Sequence, residues 1–172
     1  MEDIGDLEAW LKQDYATAYR TACLVLRDPV EAQDAVQEAF LRVWRFRASI
    51  PDGDGRKAWL YRVVVNACIS RIRSEQSRTG KDVGDAALAT LADHAPEPHT
   101  AAEHTQLADD VLAALAALPE SLRVPVVLRF YVGLSEREIA VAIDRRPGTV
   151  KSRTYYALRA LRSAFAERGL TR

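Results

Sequence analysis

The sequence lacks the features expected of a secreted or membrane-spanning protein. No apolar run approaches the length needed to cross a membrane, and the acidic N-terminus from Met1 to Ile4 has no signal-peptide pattern. Only two cysteines occur, Cys23 and Cys68, and both lie among apolar residues of helical pattern. They are most simply interpreted as buried thiols. We therefore expect a soluble, cytoplasmic protein without membrane insertion.

The chain also lacks an excess of charge of either sign, because its 172 residues include 24 basic and 24 acidic side chains. A protein that coats nucleic acid indiscriminately would be strongly basic. Any affinity for DNA must therefore come from a local patch, and it would be weak at cellular salt without a partner. The sequence shows no nucleophile–base pair, metal cluster or phosphate-binding loop, so we predict no catalysis, no metal and no cofactor.

Apolar residues recur at helical spacing in two separate halves of the chain. Residues 63–65 are three valines, which favour a strand, but the helical period around them is long enough to favour a helix. Between the halves the period disappears and Pro, Gly and Asp become frequent, which indicates a flexible linker. The predicted fold is all-α: two small helical domains, residues 1–75 and 106–172, joined by a linker over 76–105.

The predicted helices cover residues 7–27, 30–45, 58–73, 107–118 and 120–131, followed by a helix pair in the last third of the chain. The linker contains all three histidines, His94, His99 and His104. We interpret them as solvated, because a metal site needs a fixed geometry that a flexible segment lacks.

The stretch from Leu134 to Arg162 has the layout of a helix-turn-helix. Ser135 and Glu138 have the spacing of a capping box at the start of its first helix. Asp144 can occupy the left-handed turn position, and Pro147 suits the first position of the second helix. In such motifs the second helix places its N-terminal side chains against base edges in the major groove.

Candidate DNA-contacting residues of this segment are small, polar or basic: Arg146, Gly148, Thr149, Lys151, Ser152, Arg153 and Tyr156. A glycine near the first turn lets a backbone N–H approach a phosphate closely. The competing interpretation is a surface helical hairpin with solvated charges. The crowding of basic residues here, in a chain of zero net charge, favours DNA binding.

Two further helices carry polar faces that allow more than one interpretation. On the helix over 58–73, Arg62, Asn66, Ser70 and Arg73 form a polar strip beside Trp59 and Tyr61. Aromatic side chains next to basic and amide groups suit the binding of unstacked bases, but a buried aromatic cluster beside ordinary surface arginines fits equally well. On the helix over 30–45, Asp34, Gln37, Glu38 and Leu41 share a face that is either solvated or a docking face for a basic partner helix.

Together these motifs resemble those of the extracytoplasmic-function class of bacterial RNA polymerase sigma factors. The resemblance rests on residues 34–44 and 59–66 in the first half. In the second half it rests on 118–120, 128–129, 133–135, 138–140 and 148–153. It spans nearly the whole chain apart from the linker and the ends. Members of this family have two helical domains joined by a flexible linker, and they confer promoter choice on the core polymerase.

The resemblance implies a role for each polar face. Asp34, Gln37, Glu38, Phe40 and Trp44 correspond to the part that meets the coiled coil of the polymerase β′ subunit. Asn66 and the loop before Trp59 correspond to the part that melts the promoter −10 element, with Arg62 and Arg73 placed for flanking phosphates. Residues 148–153 correspond to the helix that reads the −35 element.

The implied partners are core RNA polymerase, through its β′ and β subunits, promoter DNA and an anti-sigma protein. Three residues depart from the family pattern: Arg146, Tyr155 and Tyr156. One alternative is a two-domain regulator whose helix-turn-helix binds an operator without polymerase, but such a protein has no need of the face on residues 34–44. A second alternative is an all-helical enzyme or metal protein that uses the linker histidines.

Overall fold

The computed structural model describes residues 4–79 and 101–169, and no strand occurs in these two ranges. The N-terminal domain consists of α1 (Ile4–Leu26), α2 (Pro29–Arg45) and α3 (Gly55–Thr79), with a 3₁₀ turn at Arg47–Ser49. The C-terminal domain consists of α4 (Ala101–Ala117), α5 (Glu120–Val126), a π-helical turn (Val127–Val132), α6 (Glu136–Ala142) and α7 (Pro147–Glu167). The prediction of an all-α fold with two helical domains is confirmed.

The boundary between α1 and α2 lies where the sequence places it. Asp28 caps α2, since its carboxylate accepts hydrogen bonds from the backbone N–H of Val30 at 2.8 Å and of Glu31 at 3.1 Å. Pro29 occupies the first position of the helix, where its missing N–H has no consequence. Arg27, just before this cap, has a φ of +61°, a left-handed conformation that is unfavourable for a side chain other than glycine or asparagine.

Two helices extend beyond their predicted limits. The helix predicted over 58–73 runs from Gly55 to Thr79, and the three valines at 63–65 lie inside it. Residues 76–79 and 101–105 of the predicted linker are likewise helical, in α3 and α4. His104 lies in α4, whereas His94 and His99 lie outside the described residues.

The helix predicted over 120–131 is divided by Pro125, which lies in the interior of α5. Proline lacks the N–H that would bond one turn back, so the regular helical ladder is interrupted there. The chain continues as the wider π-helical turn, and Gly133 ends that turn with a φ of +81°. Glycine suits this position because the left-handed conformation costs it little.

The hydrophobic core is continuous across the two domains. One cluster contains buried side chains of α1, α2 and α3 together with buried side chains of α5, the π-helical turn and α6, including Val65 and Ile139. A smaller cluster joins α4, α5 and α7 through Ala114, Val126 and Ala157. The described parts of the two domains therefore pack against each other through apolar surface.

Candidate functional site

The helix-turn-helix forms as its local signals predict. The Ser135 backbone N–H donates to Glu138 Oε2 at 2.7 Å, and the Glu138 N–H donates to Ser135 Oγ at 3.3 Å, which completes the capping box. Hydrogen bonds from the Ser135 side chain and backbone lower the pKa of Glu138. Asp144 adopts a φ of +51° in the turn, and Pro147 occupies the first turn of α7.

The inner face of α7 is defined by Val150, Ala157 and Leu161, which are buried. Because successive residues of an α-helix are rotated by about 100°, the opposite face is centred on Ser152 and Arg159. Most of the predicted contact residues are exposed on or near that face: Arg146, Gly148, Lys151, Ser152 and Tyr156. Thr149 and Arg153 are half-buried at its margins.

The backbone around Gly148 is open. A Cβ atom added there would have no heavy atom within 4 Å, and the residue has no left-handed φ. Neither packing nor backbone conformation therefore requires glycine at this position. This leaves the approach of a ligand to the first turn of α7 as the remaining physical reason for glycine.

An exposed aromatic pair follows the predicted contact residues. Tyr155 and Tyr156 meet edge to face, with ring centroids 5.5 Å apart and an interplanar angle of 72°. Their exposed fractions are 63% and 55%, which is unusual for two neighbouring aromatic residues. Tyr155 was not among the predicted contact residues, although helical spacing alone places it about 40° from the centre of the outer face.

On α3 the polar strip is exposed but the aromatic residues beside it are not. Arg62, Asn66, Ser70 and Arg73 all reach solvent, whereas Tyr61 is fully buried and burial strongly raises the pKa of its hydroxyl. Trp59 is half-buried and packs against the core. The buried-cluster interpretation is therefore correct for Tyr61, and base stacking on its ring is excluded in this conformation.

Asn66 is offset along the axis of α3 from the loop that precedes this helix. Asn66 lies eleven residues into α3, which is about 16 Å along the helix axis from its start at Gly55. Asn66 instead lines a groove of 490 Å³ between the two domains. Ser70 and Arg73 lie on the same wall, and Arg145 and Arg153 of the helix-turn-helix line the groove as well.

The candidate docking face on α2 is a mixed polar and apolar stripe. Asp34 and Gln37 are exposed, and Leu41 and Trp44 continue the same stripe with exposed fractions of 71% and 40%. Leu41 was noticed on this face but was not assigned to the site. Its exposure could not be read from the sequence, because periodicity does not show which apolar residues lack a partner in the fold.

Glu38 and Phe40 of the predicted docking set have partners within the N-terminal domain. Glu38 is half-buried and forms ion pairs with Arg42 at 2.6 Å and with Arg71 at 3.6 Å. Phe40 is half-buried and its ring meets Tyr15 edge to face, with centroids 5.7 Å apart. The freely exposed part of the candidate face is thus Asp34, Gln37, Leu41 and Trp44.

Within residues 4–79 and 101–169, no group of three or more His, Cys, Asp or Glu side chains is arranged to hold a metal ion. Over the same residues, no helix combines the length and the apolar character that a bilayer crossing requires.

Comparison with known proteins identifies both halves of the chain. The family described as Sigma-70 region 2 matches residues 7–78, and the family described as Sigma-70, region 4 matches residues 108–161. The ECF RNA polymerase sigma factor SigL of Mycobacterium tuberculosis is 34% identical over 167 residues, covering 96% of this chain and 92% of SigL. The ECF RNA polymerase sigma-E factor of Escherichia coli is 30% identical, covering 91% of this chain and 86% of that protein.

Two solved structures share the fold over nearly the whole chain. The sigma factor RpoE in complex with the anti-sigma factor NepR from Bartonella quintana aligns with a TM-score of 0.75 at 21% identity, covering 95% of this chain and 98% of RpoE. CnrH in complex with the cytosolic domain of CnrY aligns with a TM-score of 0.68 at 16% identity, covering 96% of this chain and 90% of CnrH.

Proposed function

Because the chain belongs to the family of ECF RNA polymerase sigma factors, we propose that it binds core RNA polymerase and directs it to specific promoters. The observation that carries the proposal is the exposed stripe of α2. Leu41 and Trp44 leave apolar surface in water next to Asp34 and Gln37, which suits a partner helix that is both apolar and basic. A regulator that binds DNA alone has no use for such a face.

The two domains divide the work between docking and promoter recognition. We assign polymerase docking and melting of the −10 element to the domain over residues 1–75, and recognition of the −35 element to the domain over 106–172. The chain has zero net charge, so the basic residues of one helix give it little affinity for DNA at cellular salt. The polymerase supplies the missing affinity, and the chain supplies the choice of sequence.

On α3, the Asn66 carboxamide is the proposed reader of an extruded base. It offers one acceptor and two donor hydrogens, which is enough to recognise a hydrogen-bonding edge. Arg62 and Arg73, exposed on the same strip, are placed to hold flanking phosphates. Extruding a base costs a few kcal/mol, which contacts to its edge and its face must recover.

On α7, Lys151 and Ser152 are the proposed base-edge contacts, with Arg146, Gly148 and Thr149 positioned for phosphates at the first turn. Tyr156 extends this surface by one helical turn. Arg153 lies at the margin of the outer face and lines the interdomain groove, so we assign it to phosphate positioning rather than to base reading.

We further propose a cytoplasmic protein that is not an enzyme and that an anti-sigma partner restrains. The solved structure of the sigma factor RpoE with the anti-sigma factor NepR supports such a partner, and CnrH, which shares the fold, likewise forms a complex with a second protein, the cytosolic domain of CnrY.

The docking assignment is tested by Asp34→Lys, measured as co-purification with core polymerase. Asp34 is exposed, so the reversed charge should abolish or strongly reduce binding while helical content stays native. Glu8→Lys is the matched control, because Glu8 is also an exposed acidic residue but lies on α1, away from the stripe. Normal co-purification of the Asp34 variant would overturn the assignment, and a promoter footprint without polymerase would favour a free-standing regulator.

A further inference from the structure

Three basic side chains cross the boundary between the two domains, and each donates a hydrogen bond to a backbone carbonyl. Arg27 Nη1 donates to Ala116 O at 2.6 Å, and Lys57 Nζ donates to Val132 O at 2.6 Å. In the other direction, Arg123 Nη2 donates to Val25 O at 2.9 Å.

All three carbonyls lie in the last turn of a helical segment. Val25 is one residue from the end of α1, Ala116 is one residue from the end of α4, and Val132 ends the π-helical turn. Carbonyls in a last turn have no partner within their own helix, and they carry the negative end of the helix dipole. A cationic side chain from the other domain therefore donates a hydrogen bond to each of these carbonyls and also offsets the negative end of the helix dipole.

Arg123 is the most deeply buried of the three, with an exposed fraction of 5%. Besides Val25 O, its guanidinium donates to Leu118 O at 2.7 Å and to Ala116 O at 3.3 Å. Ala116 O thus receives both Arg123 and Arg27, so the ends of α1 and α4 are tied together through one carbonyl. The Arg123 Nε is also buried and has no hydrogen-bond partner, so the three bonds from the Nη groups are what offsets the burial of this guanidinium.

These contacts surround an apolar interface. Domains of one chain move freely unless the surface between them is large and hydrophobic, and here a single buried cluster includes residues of both domains. We call the three cross-domain bonds of Arg27, Lys57 and Arg123 the latch. Together with the shared core, the latch makes the closed arrangement one folded unit.

The closed arrangement cannot engage both promoter elements. Asn66 and Arg73, assigned to the −10 element, line the same groove of 490 Å³ as Arg153 of the −35 reading domain. The two elements are separated by about 25 base pairs, which at about 3.4 Å per base pair is roughly 85 Å of duplex. The docking stripe on α2, in contrast, stays exposed in this arrangement.

We propose that the closed arrangement is the resting state of the free protein, in which the latch holds the two promoter-reading surfaces too close together to engage both elements of one promoter at once. Core polymerase docks first on the exposed stripe of α2, and the domains separate afterwards. The consequence for promoter binding rests on the proposed function, whereas the closed state and its latch rest on the hydrogen bonds and the shared core alone.

The test is an Arg27→Gly, Lys57→Met double variant of the full chain. Arg27 has a φ of +61°, which glycine adopts more readily than arginine, so this change opens the latch without straining α1. Arg129→Met is the matched control, because Arg129 donates to Leu134 O at 3.1 Å within one domain. Circular dichroism first establishes that all variants keep their helical content, and Arg27→Gly alone serves if the double variant does not.

Small-angle X-ray scattering then reports opening directly. A compact chain of 172 residues has a radius of gyration of about 16 Å. We expect the wild type and Arg129→Met to agree with each other, and the double variant to be larger by several ångströms. An unchanged radius in the folded double variant would overturn the latch.

Binding to promoter DNA without polymerase reports the consequence of opening. The probe is a duplex that spans both promoter elements, selected from a random pool by the wild-type chain bound to core polymerase. The double variant should bind it about threefold more tightly than the wild type, and Arg129→Met should not. An opened variant without this gain would overturn the resting-state proposal. If no variant, including the wild type, binds core polymerase, the proposed function fails while the scattering result still decides the latch.

Discussion

Replacing Arg123 by methionine is the most demanding test of how the two domains hold together. Methionine fills a similar volume but cannot donate a hydrogen bond, so the carbonyls of Val25 and Leu118 lose the bonds of 2.9 Å and 2.7 Å that Arg123 supplies. Ala116 O keeps its bond from Arg27. The change therefore leaves two buried acceptors without their side-chain partner.

The expected magnitude follows from two opposing terms. A buried acceptor that loses its partner costs about 1–3 kcal/mol, so two such acceptors cost about 2–6 kcal/mol. The variant also removes a buried charge, since burial lowers the pKa of Arg123 to about 10 from its usual 12.5. That shift corresponds to roughly 3 kcal/mol of desolvation that the variant no longer bears. The midpoints leave a net loss of about 1 kcal/mol, and the largest loss that these terms allow is about 3 kcal/mol.

Urea unfolding at neutral pH measures this loss, and the distribution of tryptophans makes the assay specific. Trp10, Trp44 and Trp59 all lie in the N-terminal domain, so their fluorescence reports that domain, while circular dichroism reports both. In the wild type the two transitions should coincide, as expected for one cooperative unit. In the Arg123→Met variant the dichroism transition should begin at lower urea than the fluorescence transition. A variant at least as stable as the wild type, with coincident transitions, would refute the reasoning.

Three further substitutions and one labelling reaction test individual residues. Glu138→Gln should reduce the free energy of unfolding by about 0.5–1 kcal/mol near neutral pH. Because the fold lowers the pKa of Glu138, this difference should be lost as the pH falls through that lowered pKa. A difference in thermal unfolding that does not depend on pH would contradict this expectation. Gly148→Ala should leave the free energy of unfolding unchanged or raise it by up to about 1 kcal/mol. The same variant should bind the −35 element more weakly in a holoenzyme assay, and unchanged binding would show that no phosphate approaches there. Burial raises the pKa of Cys68 to about 12, so its thiol should react with a maleimide at neutral pH only after unfolding, and rapid reaction in the native protein would contradict the burial. Asn66→Ala should spare polymerase binding and reduce open-complex formation, and the defect should be smaller on a template that is mismatched at the −10 element. An equal defect on paired and mismatched templates, together with a lower melting temperature of the protein, would instead indicate a structural role.

The local features of this protein could be predicted from the sequence because each depends on atoms only a few residues apart. The capping box of Ser135 and Glu138, the left-handed Asp144 and Pro147 at the start of α7 all appear where expected. Helical spacing likewise placed Ser152 on the outer face of α7. These features use backbone bonds within one turn, so no distant part of the chain can override them.

Spacing along a helix cannot decide which residues of a face lack a partner. Tyr61 and Arg62 are neighbours in the sequence, yet one is fully buried and the other exposed. Phe40 was predicted to belong to the docking set and Leu41 was not. In the structure Phe40 packs against Tyr15, whereas Leu41 remains in water. The docking stripe could therefore be located from the sequence but its members could not.

The sequence by itself determined the helices, their caps, the helix-turn-helix and the family. Only the tertiary structure decided how the two domains meet. The bonds of the latch join residues that are 75, 89 and 98 positions apart, between side chains of one domain and helix ends of the other. Such bonds depend on where two helix termini come to lie in space, and neither composition nor periodicity carries that information. Arg123 of α5 finds two acceptors close in the sequence, Leu118 O and Ala116 O, but its third acceptor, Val25 O, is available only because α1 ends beside it.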